Sequence, residues 1–327
     1  MKTIPSFCFL LIAVLTLSPA WAAQPKYKTF YVFGDSLSDT GNDLILTKQQ
    51  KINPRIPPSG RPHQTYFKGR FSNGPVAAEY LWDLLEKKQK HLIPFLSVKD
   101  IASSEAISFA FGGSKSGYLN QMPGDIYVPG TLGQVDLFRK ALKGKKLKAD
   151  SLFVIWAGAN DYLLGEPAQP IEVVENITKA IEILHSLGAR NFLIPNLPDL
   201  GLTPLAQQNQ LGEQFLALTQ AHNASLAQAL DELVSRLPEI NVIAVDLFAV
   251  SQALLDSERR IITSPPAITA ITGSLDAAMC FFVAPSTCPD VDFTAASGFA
   301  FWDVLHPTTF IHQLYGQAMF EALDPKK

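Results

Sequence analysis

The chain has 327 residues, 47% hydrophobic and 17% charged, with 27 Lys and Arg against 30 Asp and Glu for a formal charge of -3. This is the composition of an ordinary globular protein, long enough to bury a full core. Charge is near balance and the basic residues are scattered, so no basic stripe is available to neutralise phosphate backbones, which excludes nucleic acid as a partner.

The first residues read as a targeting segment. Lys2 supplies a positive start, Phe7 to Leu17 an apolar run, and Ala20-Trp21-Ala22 a small-x-small cleavage site. Residues 1–22 are expected to be removed, leaving 23–327 as one domain exported by a bacterium to the periplasm or beyond. The apolar run is too short to span a bilayer, and charges or prolines interrupt every later candidate.

Five short apolar runs rich in β-formers then punctuate the chain: Thr29 to Phe33, Ala106 to Phe111, Leu152 to Ala157, Asn191 to Pro195 and Val242 to Asp246. They read as buried strands. Gly74 to Lys90, Pro170 to Leu187 and Phe215 to Leu237 carry apolar residues at three-to-four spacing and read as amphipathic helices. Alternation of this kind predicts an α/β fold, a three-layer α/β/α sandwich on a mostly parallel sheet, with ligands bound beyond the carboxyl ends of the strands. Lys48 to Lys68 and Ser257 to Phe299 break the alternation and are expected to be long loops near the site.

Chemistry concentrates where strands end. Phe33-Gly34-Asp35-Ser36-Leu37-Ser38-Asp39-Thr40-Gly41-Asn42 follows the first strand and puts Ser36 at a strand-to-helix turn, facing free backbone amides. A serine hydroxyl needs a base to take its proton, and the base needs an orienting partner. Trp302-Asp303-Val304-Leu305-His306-Pro307 offers both, since a turn can set Asp303 against the Nδ1 side of His306. His63, His91, His185, His222 and His312 lack such a neighbour. Donors for an oxyanion are expected from the Ser36 amide, from Gly112 or Gly113 after the second strand with Gly113 preferred, and from the Asn160 side chain after the third.

Other patterns are set aside. Gly113-Ser114-Lys115-Ser116-Gly117 has Lys where a nucleophile elbow needs Ser, and it lacks the order of a phosphate loop. The glycosylation acceptors Asn176 and Asn223 fall in predicted helices. Cys8 leaves with the targeting segment, so the exported pair Cys280 and Cys288 is expected to form one disulfide around an apolar loop that begins Phe281-Phe282-Val283. No Cys or His cluster has metal-ligand spacing.

The segments around Ser36, Gly113, Asn160 and His306 resemble, in order, the blocks of the GDSL lipases, or SGNH hydrolases, over Phe30 to about Phe320. The resemblance implies a flavodoxin-like sandwich, no metal and no organic cofactor. Gly69-Arg70-Phe71-Ser72-Asn73-Gly74-Pro75 and the extended first block resemble the secreted bacterial branch of lysophospholipases, phospholipases A and glycerophospholipid:cholesterol acyltransferases. This implies a lysophospholipid or phospholipid substrate, a sterol as alternative acyl acceptor, and transient contact with a membrane surface. A short-chain or carbohydrate acetyl esterase and a non-catalytic lipid-binding protein are the competing expectations.

Overall fold

A computed structural model describes residues 27–86, 91–122, 125–165, 167–296 and 298–323; the expected targeting segment lies outside them. Six strands form the central sheet: β1 (Thr29–Gly34), β2 (Ile93–Pro94), β3 (Ala106–Ser108), β4 (Ser151–Trp156), β5 (Asn191–Pro195) and β6 (Asn241–Val245). Their order is β6-β5-β4-β1-β3-β2, with every pairing parallel. β1 therefore lies in the middle, paired with β4 on one side and β3 on the other.

A strand alternates its side chains between the two faces of a sheet, and here both faces are covered. Tyr31, Phe33, Phe153 and Phe192 point into one core against helices Thr131–Leu142, Pro170–Ser186 and Gly212–Arg236. Phe30, Val32, Leu152 and Val154 point into the other, against Ala77–Glu86, Leu247–Ser257 and Thr309–Leu323. The expected three layers are thus present, and near-continuous hydrophobic strands are their sequence signature.

The expected elements shift where local chemistry intervenes. The second strand ends at Ser108, three residues early, because the chain leaves the sheet to form the turn at Gly112 and Gly113. Strand β2, two residues long, is too short for any periodicity to reveal. Ser257 to Phe299 is not a plain loop: it contains helices Arg259–Ile262, Ala267–Thr272 and Leu275–Val283. The last starts where the Ser274 side chain accepts the Ala277 amide, and good helix formers follow. Prolines and short lengths hid these helices in the sequence. Cys280 and Cys288 form the expected disulfide.

Among the described residues no helix is long and apolar enough to cross a membrane.

Candidate active site

Ser36 sits in the turn where β1 leaves the carboxyl edge of the sheet, and backbone amides hold that turn together. The Ser38 and Asp39 amides both donate to the Asp35 carbonyl at 3.0 Å, and Leu37 N donates to Asp35 Oδ1 at 3.0 Å. Burial raises the Asp35 carboxyl to about 6, against the Leu37 amide that favours its charge. The Asp39 carboxylate accepts the amides of Gly41, Asn42 and Asp43 at 2.7, 2.6 and 3.1 Å, satisfying orphan donors at the start of helix Asn42–Gln49.

Two further side chains tie this turn to the sheet. Gln134 accepts from Gly34 N at 2.9 Å and donates to Gly34 O at 2.7 Å, acting as a surrogate strand for the last residue of β1. Asn42 Nδ2 donates to Ser108 O and Ala110 O at 2.9 and 2.8 Å, joining the Ser36 segment to the next catalytic block.

In that block the choice between the two glycines is one of direction. A Cβ on Gly112 would lie 2.3 Å from the Phe71 ring and 2.6 Å from Asp43 Oδ2, so this residue is packed inward. Gly113 adopts φ +72, which favours glycine, and lines the cavity shared by Ser36, Asn160 and His306. Asn160 enters the same cavity from the first turn of helix Ala159–Leu163, and its Nδ2 donates to Ser114 O at 2.9 Å. The rest of the Gly113 to Gly117 run is structural: Lys115 Nζ donates to Leu164 O, and Ser116 donates to Asp161 through amide and hydroxyl.

The third block arrives from 270 residues away. His306 Nε2 lies 2.9 Å from Ser36 Oγ, and His306 Nδ1 lies 2.7 Å from Asp303 Oδ2. The Leu305 and His306 amides donate to Asp303 Oδ1 at 2.8 and 2.7 Å, which is the turn expected of Asp-x-x-His. The other histidines serve elsewhere. His63 Nδ1 meets Cys288 O, His185 pairs with Glu239, and His222 and His312 are buried, with protonation suppressed to about 4 and 3 by that burial.

Sequence reasoning marked Gly69 to Pro75 only as a family signature, whereas the structure shows it bracing the histidine loop. Ser72 Oγ donates to Pro307 O at 2.9 Å, Asn73 Oδ1 accepts the Thr309 amide at 2.8 Å, and the Phe71 ring lies 5.2 Å from His306. Arg70 grips Glu79 through Nε and Nη2 at 3.1 and 2.5 Å, anchoring the brace to helix Ala77–Glu86. From the disulfide-closed segment, Phe282 stacks on His306 at 6.0 Å with rings within 9° of parallel. The Gln134 clamp on Gly34, the Asn42 bond to Ser108 O and the Tyr66 hydroxyl on Asp303 also escaped the sequence reading, because these contacts span 66 residues or more.

A hydroxyl, an imidazole and a carboxylate in hydrogen-bonded series, with amides alongside, are equipped for acyl transfer. Comparison with known proteins agrees. The family model described as GDSL-like Lipase/Acylhydrolase matches residues 30–319, and the chain belongs to that family. It is a serine ester hydrolase.

A GDSL esterase/lipase of Arabidopsis thaliana is 29% identical over 93% of this chain and 92% of its own. The phosphatidylcholine-sterol acyltransferase of Aeromonas hydrophila is 26% identical over 93% and 92%. A family two carbohydrate esterase from Clostridium thermocellum aligns in structure with a TM-score of 0.47 and 12% identity, over 93% of this chain and 65% of that one.

Proposed function

We propose that this serine ester hydrolase is exported and releases fatty acids from lysophospholipids, and from phospholipids at a lower rate. The observation that carries the reading is the cavity at Ser36. It encloses about 340 Å3, within the range of ligand pockets, and apolar side chains such as Ile56, Met122, Ile126 and Phe282 dominate its walls. Such walls match a hydrocarbon arm better than a hydrated sugar. Val283 lines the same cavity and is 75% exposed, placing an apolar side chain at its mouth where a lipid surface would be met.

In this reading His306 takes the Ser36 proton as Oγ attacks the ester carbonyl, and the alcohol leaves with that proton. Ser36 N, Gly113 N and Asn160 Nδ2 stabilise the oxyanion, one such donor being worth about 3–4 kcal/mol in the transition state. Asp303 orients the imidazole and stabilises its protonated form. Water then releases the fatty acid. A sterol hydroxyl reaching the acyl-enzyme would be acylated instead, a branch supported by the name of the Aeromonas relative. The chemistry needs neither metal nor organic cofactor.

The test is fatty acid release from lysophosphatidylcholine by the mature protein, beside Ser36→Ala and a short-chain acetate ester. Release that falls by at least about a thousandfold in the variant is the expected result. Turnover of the acetate with none of the lipid would replace this substrate with a small acyl ester.

A further inference from the structure

Asp303 is completely buried, and its carboxylate meets four donors. Two are amides of its own loop and the third is His306 Nδ1. The fourth comes from outside: Tyr66 Oη donates to Oδ2 at 2.6 Å, the oxygen that also faces His306. Tyr66 is itself fully buried and its position is tightly set. Its amide donates to Pro58 O at 2.8 Å, and its ring meets Phe71 and Phe281 edge to face at 6.2 and 6.0 Å. The preceding residue is tied to the catalytic loop, with Trp302 Nε1 donating to Thr65 O at 3.2 Å. Burial and the adjacent Asp303 push the Tyr66 hydroxyl well above its ordinary value, so it keeps its proton and donates it to the carboxylate.

The geometry points to Tyr66 as a positioning residue for the catalytic dyad, holding Asp303 by Oδ2 and moderating how strongly that oxygen attracts the charge forming on His306. This inference rests on the Ser36, His306 and Asp303 reading above. A carboxylate oxygen shared between two donors pulls less on each than one serving a single donor. Without the hydroxyl, Oδ2 serves His306 alone, the imidazolium is stabilised further, and the carboxylate is held less firmly in rotation. Asp35, in the turn carrying Ser36, and His312, in helix Thr309–Leu323, are the other titratable groups whose charge couples to His306, and both stay in place when Tyr66 changes.

The experiment uses full-length mature protein and an acetate ester, comparing pH profiles of kcat/KM for wild type, Tyr66→Phe and a chain carrying fluorotyrosine at position 66. In Tyr66→Phe, kcat should fall about tenfold at little change in KM, and the acid limb should move up by about half a unit. Fluorotyrosine keeps the ring and hydroxyl but donates more strongly, so the limb should move down, and this chain retains the fold if the Phe variant does not. Acid limbs that coincide with wild type in both proteins would overturn the proposal, leaving Tyr66 a packing residue. Ser36→Ala in the same assay separates the two readings: if it still turns over acetate, the catalytic assignment fails before that of Tyr66.

Discussion

The two halves of the site are held by different means. Ser36 rides on the central strand of the sheet, and its turn is secured by nearby amides, the Asp35 and Asp39 carboxylates and the Gln134 clamp on Gly34. His306 and Asp303 sit on a segment whose only sheet-like feature is a single bridge between Phe301 and Pro307, and the Thr65 carbonyl with the side chains of Tyr66, Ser72 and Asn73 pins it in place. Ser36 is positioned by the architecture, His306 by a brace applied to a loop. Damage to the first half should therefore appear as lost stability and activity together, and damage to the second chiefly as lost turnover.

The strongest challenge to this contrast is Gln134→Ala. It leaves Gly34 N buried without a partner, leaves Gly34 O only the Phe111 amide at 3.4 Å, and removes the donor to Ser114 Oγ beside Gly113. One orphaned amide at 1–3 kcal/mol, with a carbonyl left on a long bond, predicts a loss of about 2–3 kcal/mol in urea unfolding, with ester turnover falling alongside. An unchanged midpoint would show that the strand does not depend on the clamp.

Ser72→Ala makes the complementary cut. Loss of its bond to Pro307 O should lower kcat several-fold while costing about 1 kcal/mol, at the low end for a buried acceptor left unpaired. Equal damage to stability in the two variants, with kcat unaltered in the second, would erase the distinction between the halves.

The smallest effect sharpens the picture of the nucleophile half. Asp43 is buried beside Asp39 at the start of helix Asn42–Gln49, and burial with that neighbouring charge raises its carboxyl well above the usual range. Asp39 has three amide donors and is the better-stabilised anion, so Asp43 carries the proton. A group whose folded pKa is raised contributes its full stability below its unfolded pKa of about 4 and loses it as pH climbs towards the folded value. Asp43→Asn should therefore raise the Tm by a few degrees at pH 8 and by much less near pH 4.5. A gain that is the same at both pH values would mean that the Asp43 carboxyl titrates alike in the folded and unfolded chains.

These contrasts follow the line between what was legible in the sequence and what was not. The alternation of buried strands and amphipathic helices located five of the six sheet strands, since both cores repeat along the chain at the periods of their elements. Ser36, Asp303 and His306 were legible because their requirements are local: a turn after a strand, and a carboxylate three residues before an imidazole. Asn160, which lines the cavity at Ser36, likewise follows directly on a strand end.

The remaining contacts come from long-range packing. Nothing in Thr65-Tyr66 announces a donor for a carboxylate 237 residues away, nor does Ser72 announce the carbonyl of Pro307. Such contacts depend on how two irregular segments pack, and irregular backbone has no period from which a partner can be read. Hydrophobic spacing and short-range turn geometry encode the layers, the order of the motif blocks and the side chains that meet at Ser36. Only the fold brought Tyr66 to Asp303, turned Gly113 rather than Gly112 to the cavity and laid Phe282 on His306, because each requires long-range packing to bring distant side chains within a few ångströms.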